Sequence, residues 1–207
     1  MSASTRGRFV TFEGIDGAGK STHLDWVRHW LEARAVDTVV TREPGGTRVA
    51  EAIRQLLLDP ETHVSSDAET LLVFAARCDH LERIIRPALA AGRWVLCDRF
   101  TDATLAYQGY GRGVDLDRIL TLAEWVHGGL WPDLTLVFDV PEEVGASRRQ
   151  GRAAADRFEL EEGAFHARVR EGYLALARRW PNRIRVINGA QTLSAIQQQL
   201  EDILLSL

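Results

Sequence analysis

Five short apolar runs separated by stretches of helical spacing constrain this chain more than any other feature. Phe9-Val10-Thr11-Phe12, Thr38-Val39-Val40-Thr41, Trp94-Val95-Leu96-Cys97, Leu134-Thr135-Leu136-Val137-Phe138 and Ile184-Arg185-Val186-Ile187 read as strands, short and rich in β-branched and aromatic residues. Between them Leu24, Val27 and Leu31 recur at helical spacing, and Ile53, Leu56 and Leu57 mark a short helix stopped near Pro60. A longer helical pattern runs from Asp67 to about Ala91, with Pro87 as its expected kink or break. Leu116 to Val126, Glu162 to Arg179 and Leu193 to Leu205 complete the helices. Strands alternating with helices imply a parallel sheet covered on both faces, a three-layer α/β architecture. Ligands of such sheets sit at the carboxyl ends of the strands. Three segments fall there: the loop after Phe12, the run Arg42-Glu43-Pro44-Gly45-Gly46-Thr47, and Asp98-Arg99.

The 207 residues, 45% of them hydrophobic, suit one domain over 1–207. A net charge of −4 gives no global field toward nucleic acid or an anionic membrane, so neither partner is expected. The two cysteines, Cys78 and Cys97, lack metal-type spacing, and Cys97 inside its apolar run reads as a buried free thiol. Met1 to Arg6 has no apolar signal core, and no apolar run approaches the roughly 20 residues that span a bilayer. A cytoplasmic, soluble protein is expected.

Gly14-Ile15-Asp16-Gly17-Ala18-Gly19-Lys20-Ser21-Thr22 matches the phosphate-loop pattern, and it follows a strand and opens a helix. Such a loop turns backbone N–H groups inward around phosphate, and the helix N-terminus adds positive partial charge. Lys20 would reach the terminal phosphates and Ser21 would bind Mg²⁺, which implies a nucleoside triphosphate with that ion. Of the 25 lysines and arginines in the chain, only residue 20 is lysine. Codon bias accounts for arginine elsewhere. The exception has a steric reason: a compact ammonium fits between curled backbone and phosphate where a planar guanidinium does not.

Further residues suggest an acceptor site. Asp16 is either a solvated loop acid or a partner for an acceptor hydroxyl. Asp98 suits Mg²⁺ through water, and Arg99 suits an anionic oxygen. Phe74 and Arg77 lie one helical turn apart, fitting either a planar base or a core aromatic beside a solvated arginine. Thr101 to Gln108, with Thr104, Tyr107 and Gln108, offers hydroxyls and an amide at helical spacing. Arg148, Arg149, Arg152 and Arg157 crowd one segment between helical patterns, read either as an exposed basic helix end or as a lid at about 147–158 that neutralises charge on the transferring group. A hydroxyl acceptor needs a general base, whereas a phosphate acceptor is already ionised and needs positioning. Many arginines, with His80 the one histidine in these segments, favour a phosphate acceptor.

Taken together, these motifs resemble the bacterial thymidylate kinases, P-loop nucleoside monophosphate kinases, from Phe9 to the last helix. The resemblance rests on Phe12 to Thr22, Thr41 to Thr47, Leu72 to Arg77, Cys97-Asp98-Arg99-Phe100-Thr101, Ala106-Tyr107-Gln108-Gly109 and Asp156-Arg157-Phe158-Glu159. It implies transfer of the γ-phosphoryl group of ATP to dTMP, giving dTDP, with Mg²⁺ bound near Ser21 and Asp98. It implies that Gly14, Ile15, Asp16, Gly17, Ala18, Gly19, Lys20, Ser21, Thr22, Arg148 and Arg152 serve ATP. It implies that Phe74 stacks on thymine with Arg77 near O4, and that Thr104 and Gln108 lie at the base and sugar edge. Tyr107 would stand where a ribose 2′-hydroxyl would be, Asp16 would meet the 3′-hydroxyl, and Arg42 and Arg99 would hold the dTMP phosphate. Lys20, Arg99, Asp16 and Arg152 would carry catalysis. Some members place a basic residue inside the phosphate loop, where this chain has Gly17, so its charge is expected from the lid. Homodimers are usual for the family.

Two rival readings stay open at this level. A deoxynucleoside kinase shares the loop, an aromatic pocket and a basic lid but needs a carboxylate base, for which Glu13 is available. A regulatory NTPase would hydrolyse ATP with no small-molecule acceptor.

Overall fold

The computed structural model describes residues 6–149 and 156–207. Its centre is a parallel sheet of β1 (Phe9–Glu13), β2 (Thr38–Arg42), β3 (Trp94–Asp98), β4 (Leu134–Asp139) and β5 (Ile184–Asn188), in the order β2-β3-β1-β4-β5. All five expected strands are present. Every residue of β1 is buried, Thr11 and Glu13 included, as befits a central strand flanked on both edges and both faces. The helices are α1 (Lys20–Glu32), α2 (Arg48–Leu58), α3 (Ser66–His80), α4 (Arg86–Ala90), α5 (Thr101–Thr104), α6 (Leu116–His127), α7 (Glu142–Arg149), α8 (Gly163–Arg179) and α9 (Leu193–Leu205).

Pro87 does not end its helix as a break. The chain stays helical from α3 to α4 through a π-helical turn, Leu81–Ile85, and Pro87 falls in the first turn of α4. Proline lacks an N–H and crowds the preceding turn, and a widened turn just upstream accommodates it. A second π-helical stretch, Leu105–Gly111, follows α5. Helix caps match the sequence: Thr47, Ser65, Asp115 and Thr192 accept backbone N–H groups at the starts of α2, α3, α6 and α9.

The main core packs α1, α6, α8 and α9 on the sheet, with Val27, Leu31, Ile119, Val169 and Leu200 buried. A second cluster of Phe9, Leu81, Ile85, Leu89, Val95, Cys97 and Phe100 fills the space under α4. Cys97 is a buried free thiol, as expected, and Cys78 is exposed. Among the described residues no helix is long and apolar enough to cross a membrane.

Strand register assembles the site. Phe12 pairs with Asp98, and Asp98 pairs with Arg42 on its other side. The chain leaves β1, β3 and β2 side by side, so the three candidate segments converge at one edge of the sheet.

Candidate active site

The loop between β1 and α1 closes on Lys20. Its Nζ donates to the carbonyls of Gly14 at 3.1 Å and Ile15 at 3.2 Å, and the side chain is almost fully buried. Burial, and then the Arg99 guanidinium, lower its pKa; Asp16, Asp98 and Glu13 oppose that shift. Ile15 and Ala18 turn inward and join the core, anchoring the loop. Gly17 has φ +83° and lies so close to α7 that a Cβ would sit 2.3 Å from the Gly145 carbonyl oxygen. With α7 in this position a side chain at residue 17 collides with backbone, which gives its lack of charge a steric cause. Arg148, in the last turn of α7, donates to the carbonyls of Gly17 and Gly189.

Arg99 follows β3 in the left-handed region, φ +70°, uncommon for a residue with a side chain. Two bonds hold it there: its own N–H to the Phe12 carbonyl, and the next N–H, of Phe100, to Glu13 Oε1 at 2.7 Å. The guanidinium donates to Asp16 Oδ1 at 2.7 Å, to the Gly14 carbonyl at 3.1 Å and to the Tyr173 hydroxyl at 3.2 Å. Tyr173 donates in turn to Glu13 Oε2 at 2.9 Å. Burial would lower the Arg99 pKa, but Asp16 beside it holds it well above the usual value. Burial likewise pulls Asp16 upward, and Arg99 and Lys20 outweigh it, keeping the carboxyl below the usual range. Glu13 is fully buried, and burial with Asp102 nearby pushes it up to about 8. It lines neither cavity described next, so it has no access to an acceptor hydroxyl.

Two cavities meet here. The first is lined by Asp16, Gly17, Gly19, Lys20, Ser21 and Thr22 of the loop, and by Arg42, Glu43, Arg54, Asp98 and Arg99. The second lies between α2, α3 and the helix after β3, lined by Leu57, Val73, Arg77, Phe100, Thr104, Tyr107, Gln108 and Phe158. Asp16, Glu43, Arg54 and Arg99 line both. One cavity is polar and bounded by a phosphate loop; its neighbour has aromatic and aliphatic walls with a few polar groups, as small-molecule seats do.

Arg77 is the main polar group of the apolar cavity. Its Nε donates to Glu43 Oε2 at 2.6 Å and NH2 to Thr104 Oγ1 at 2.9 Å. NH1 is buried with no acceptor among the described residues. An unpaired buried N–H costs roughly 1–3 kcal/mol, which an acceptor on a bound ligand would relieve. Glu43 also bonds His80 Nδ1, whose Nε2 bonds Thr41, so His80 is buried in the scaffold and does not face the acceptor cavity. Tyr107 donates to Asp16 Oδ2 at 3.3 Å, and Arg42 pairs with Glu51 at the rim.

Asp98 Oδ1 is buried with no hydrogen-bond partner among the described residues, and Ser21 lines the same cavity. No cluster of three or more His, Cys, Asp or Glu suited to a metal exists among the described residues. A hydroxyl and one free carboxylate oxygen beside a phosphate seat fit Mg²⁺, which keeps waters and takes phosphate oxygens.

Two of the expected residues stand apart from the cavity walls. Phe74 joins the core, its ring 6.3 Å from that of His127 and 4.8 Å from the Arg77 guanidinium, and it is absent from the cavity wall. The guanidinium lies between Phe74 and Phe100, so the aromatic face supports the arginine, and Val73, Phe100 and Phe158 supply the wall. Arg148 contacts the outer backbone of the loop and lines neither cavity. Arg152, with the rest of residues 150–155 of the expected lid, falls outside the described residues.

Residues not anticipated are Arg54, Glu43 as the holder of Arg77, Glu69, Val73, Phe158 and Tyr173. Arg54 was discoverable: it stands three residues before Leu57, on the helical face that meets both cavities. Tyr173 gave no signal, because its helix is remote in sequence from the loop it braces.

Sequence comparison places known proteins beside this geometry. The thymidylate kinase family profile matches residues 12–200. The chain is 56% identical to a thymidylate kinase of Chromobacterium violaceum, covering 94% of this chain and 92% of that one. It is 54% identical to one of Cupriavidus metallidurans, covering 98% and 100%. The crystal structure of a thymidylate kinase from Ehrlichia chaffeensis superposes with a TM-score of 0.77 at 34% identity, covering 96% of this chain and 99% of that one. With the profile and full-length relatives in agreement, the chain belongs to the thymidylate kinase family.

Proposed function

We infer that the two cavities are the donor and acceptor halves of one phosphoryl-transfer site, in which ATP phosphorylates dTMP to dTDP. The reaction follows from family membership. The assignment to atoms is carried by one observation: Arg99 and Asp16, bonded at 2.7 Å, line both cavities.

Thymine occupies the apolar cavity, with Arg77 NH1 toward a base carbonyl. Tyr107 and Asp16 bound the sugar, where Asp16 accepts from the 3′-hydroxyl and Tyr107 excludes a 2′-hydroxyl. Arg99, Arg42 and Arg54 hold the dTMP phosphate, which is anionic and needs no general base. The phosphate loop takes the ATP phosphates; Lys20 exchanges its two carbonyl partners for phosphate oxygens. Ser21 and Asp98 would hold Mg²⁺, which supplies charge neutralisation at the transferring phosphoryl group. The remaining cation is assigned by resemblance to Arg152. The protein is expected to be a cytoplasmic homodimer.

A regulatory NTPase with no acceptor would turn over ATP indifferently to dTMP. Measuring ADP release with and without dTMP separates the readings: strong dependence on dTMP supports the transfer site, and equal rates remove it.

A further inference from the structure

Gln108 Nε2 donates to Glu69 Oε1 at 2.7 Å, and both side chains are buried. Two arginines hold the carboxylate from other sides: Arg157 NH2 lies 2.7 Å from Oε2, and Arg112 Nε lies 3.5 Å from Oε1. A carboxylate flanked by two guanidinium groups accepts and does not donate. That chemistry fixes which way the Gln108 amide faces. Its donor end must meet Glu69, which leaves Oε1 as the free end of a residue that lines the apolar cavity.

The same cavity also presents a buried arginine donor. Arg77 spends Nε on Glu43 and NH2 on Thr104, and NH1 has no acceptor among the described residues. Gln108 Oε1 and Arg77 NH1 thus offer a base an acceptor and a donor. Thymine presents the complement, an N3–H donor beside the O4 acceptor. Cytosine presents the reverse, an N3 acceptor beside the N4 amino donor. A freely rotating glutamine would satisfy either base by turning over. A glutamine tied by its nitrogen satisfies only the first, and a site left with mismatched buried polar groups rejects the wrong ligand strongly.

We propose that Glu69 is a specificity-determining positioning residue, which locks the Gln108 amide so that the site reads the N3–H and O4 edge of thymine and rejects cytosine. The proposal rests on the reading of this cavity as the base seat. Glu69 does not touch the substrate; it acts through Gln108.

The test compares kcat/KM for dTMP and dCMP at saturating ATP in wild type, Glu69→Gln, Gln108→Ala and the double variant. Wild-type activity on dTMP comes first; if it is absent, the base-seat reading itself falls. If present, Glu69→Gln, whose side chain both donates and accepts, should lower the dTMP-to-dCMP ratio at least tenfold while KM for ATP stays within about twofold. In the Gln108→Ala background the same substitution should leave the ratio unchanged. A wild type that uses dCMP as well as dTMP overturns the proposal. So does an equal loss on both nucleotides in Glu69→Gln, or a ratio change that persists without Gln108. Should Glu69→Gln fail to fold, the Gln108 side-chain amide protons of the wild type carry the test by NMR. They should stay protected from exchange with dTMP bound, and loss of that protection overturns the lock.

Discussion

Arg99 donates to Asp16 at 2.7 Å, and this one ion pair stands in the wall between the two cavities. It joins residues 83 positions apart through the pairing of β1 with β3. The left-handed backbone at Arg99 aims the guanidinium at the loop. Asp16→Asn keeps the shape and removes the charge. A hydrogen bond to a charged group is worth roughly 1.5–3 kcal/mol, so KM for dTMP should rise about 10- to 100-fold with KM for ATP little changed. Steady-state kinetics with each substrate varied in turn checks this, and an equal rise for both would place Asp16 elsewhere.

Lys20→Arg tests the steric account of the only lysine. The side chain is almost fully buried and its Nζ bonds two loop carbonyls at the wall of the polar cavity, where a planar fork needs more width than an ammonium. Thermal stability should stay close to wild type while turnover falls at least 100-fold. Wild-type-like turnover would show that charge alone matters there.

Gly17→Ala probes the packing of α7 on the loop. The left-handed backbone alone costs about 1–2 kcal/mol with a Cβ, and the added methyl also overlaps the Gly145 carbonyl. The variant should lose stability by at least that amount in urea unfolding, and ATP binding should weaken. A neutral result would mean that α7 does not rest on the loop in solution.

Much of this arrangement was legible in the sequence, for identifiable reasons. Strands made of short β-branched runs, and a glycine-rich loop between strand and helix, are local patterns, so their physics lies within a dozen residues. Phe74 shows where locality fails. Its helical spacing from Arg77 put both on one face, and the two do touch, but which of them meets the cavity depends on Phe100 and His127 packing from elsewhere. Glu69 and Tyr173 were invisible for the same reason. Each matters only through partners 39 or more residues away. The π-helical turn before Pro87 was half legible: proline announced a disturbance but not that a widened turn would absorb it.

His127 predicts a pH dependence. Its ring is buried, Nε2 bonds Thr101 and Nδ1 has no partner among the described residues. Burial, with Arg77, Arg86 and Arg183 nearby, pushes its pKa down to about 3 from 6.5. Above pH 6.5 both folded and unfolded chains hold it neutral, and its contribution is complete. As pH falls from 6.5 toward 3 only the unfolded chain binds the proton, so stability declines by up to about 1.4 kcal/mol per pH unit. Urea unfolding at pH 7 and pH 5 should show this loss in wild type and a smaller one in His127→Gln. Equal losses would assign the acid limb to other groups.

The central claim is that an arginine-lined wall receives an acceptor that already carries a phosphate. Offering equimolar thymidine and dTMP with ATP, and resolving the nucleotide products, tests it most directly. The account predicts dTDP from dTMP and no dTMP formed from thymidine, because each carboxylate lining the cavities is already engaged: Arg99 holds Asp16, Arg77 holds Glu43, the Phe158 and Glu159 N–H groups hold Asp156, and Asp98 is assigned to Mg²⁺. Phosphorylation of thymidine in preference to dTMP would contradict it.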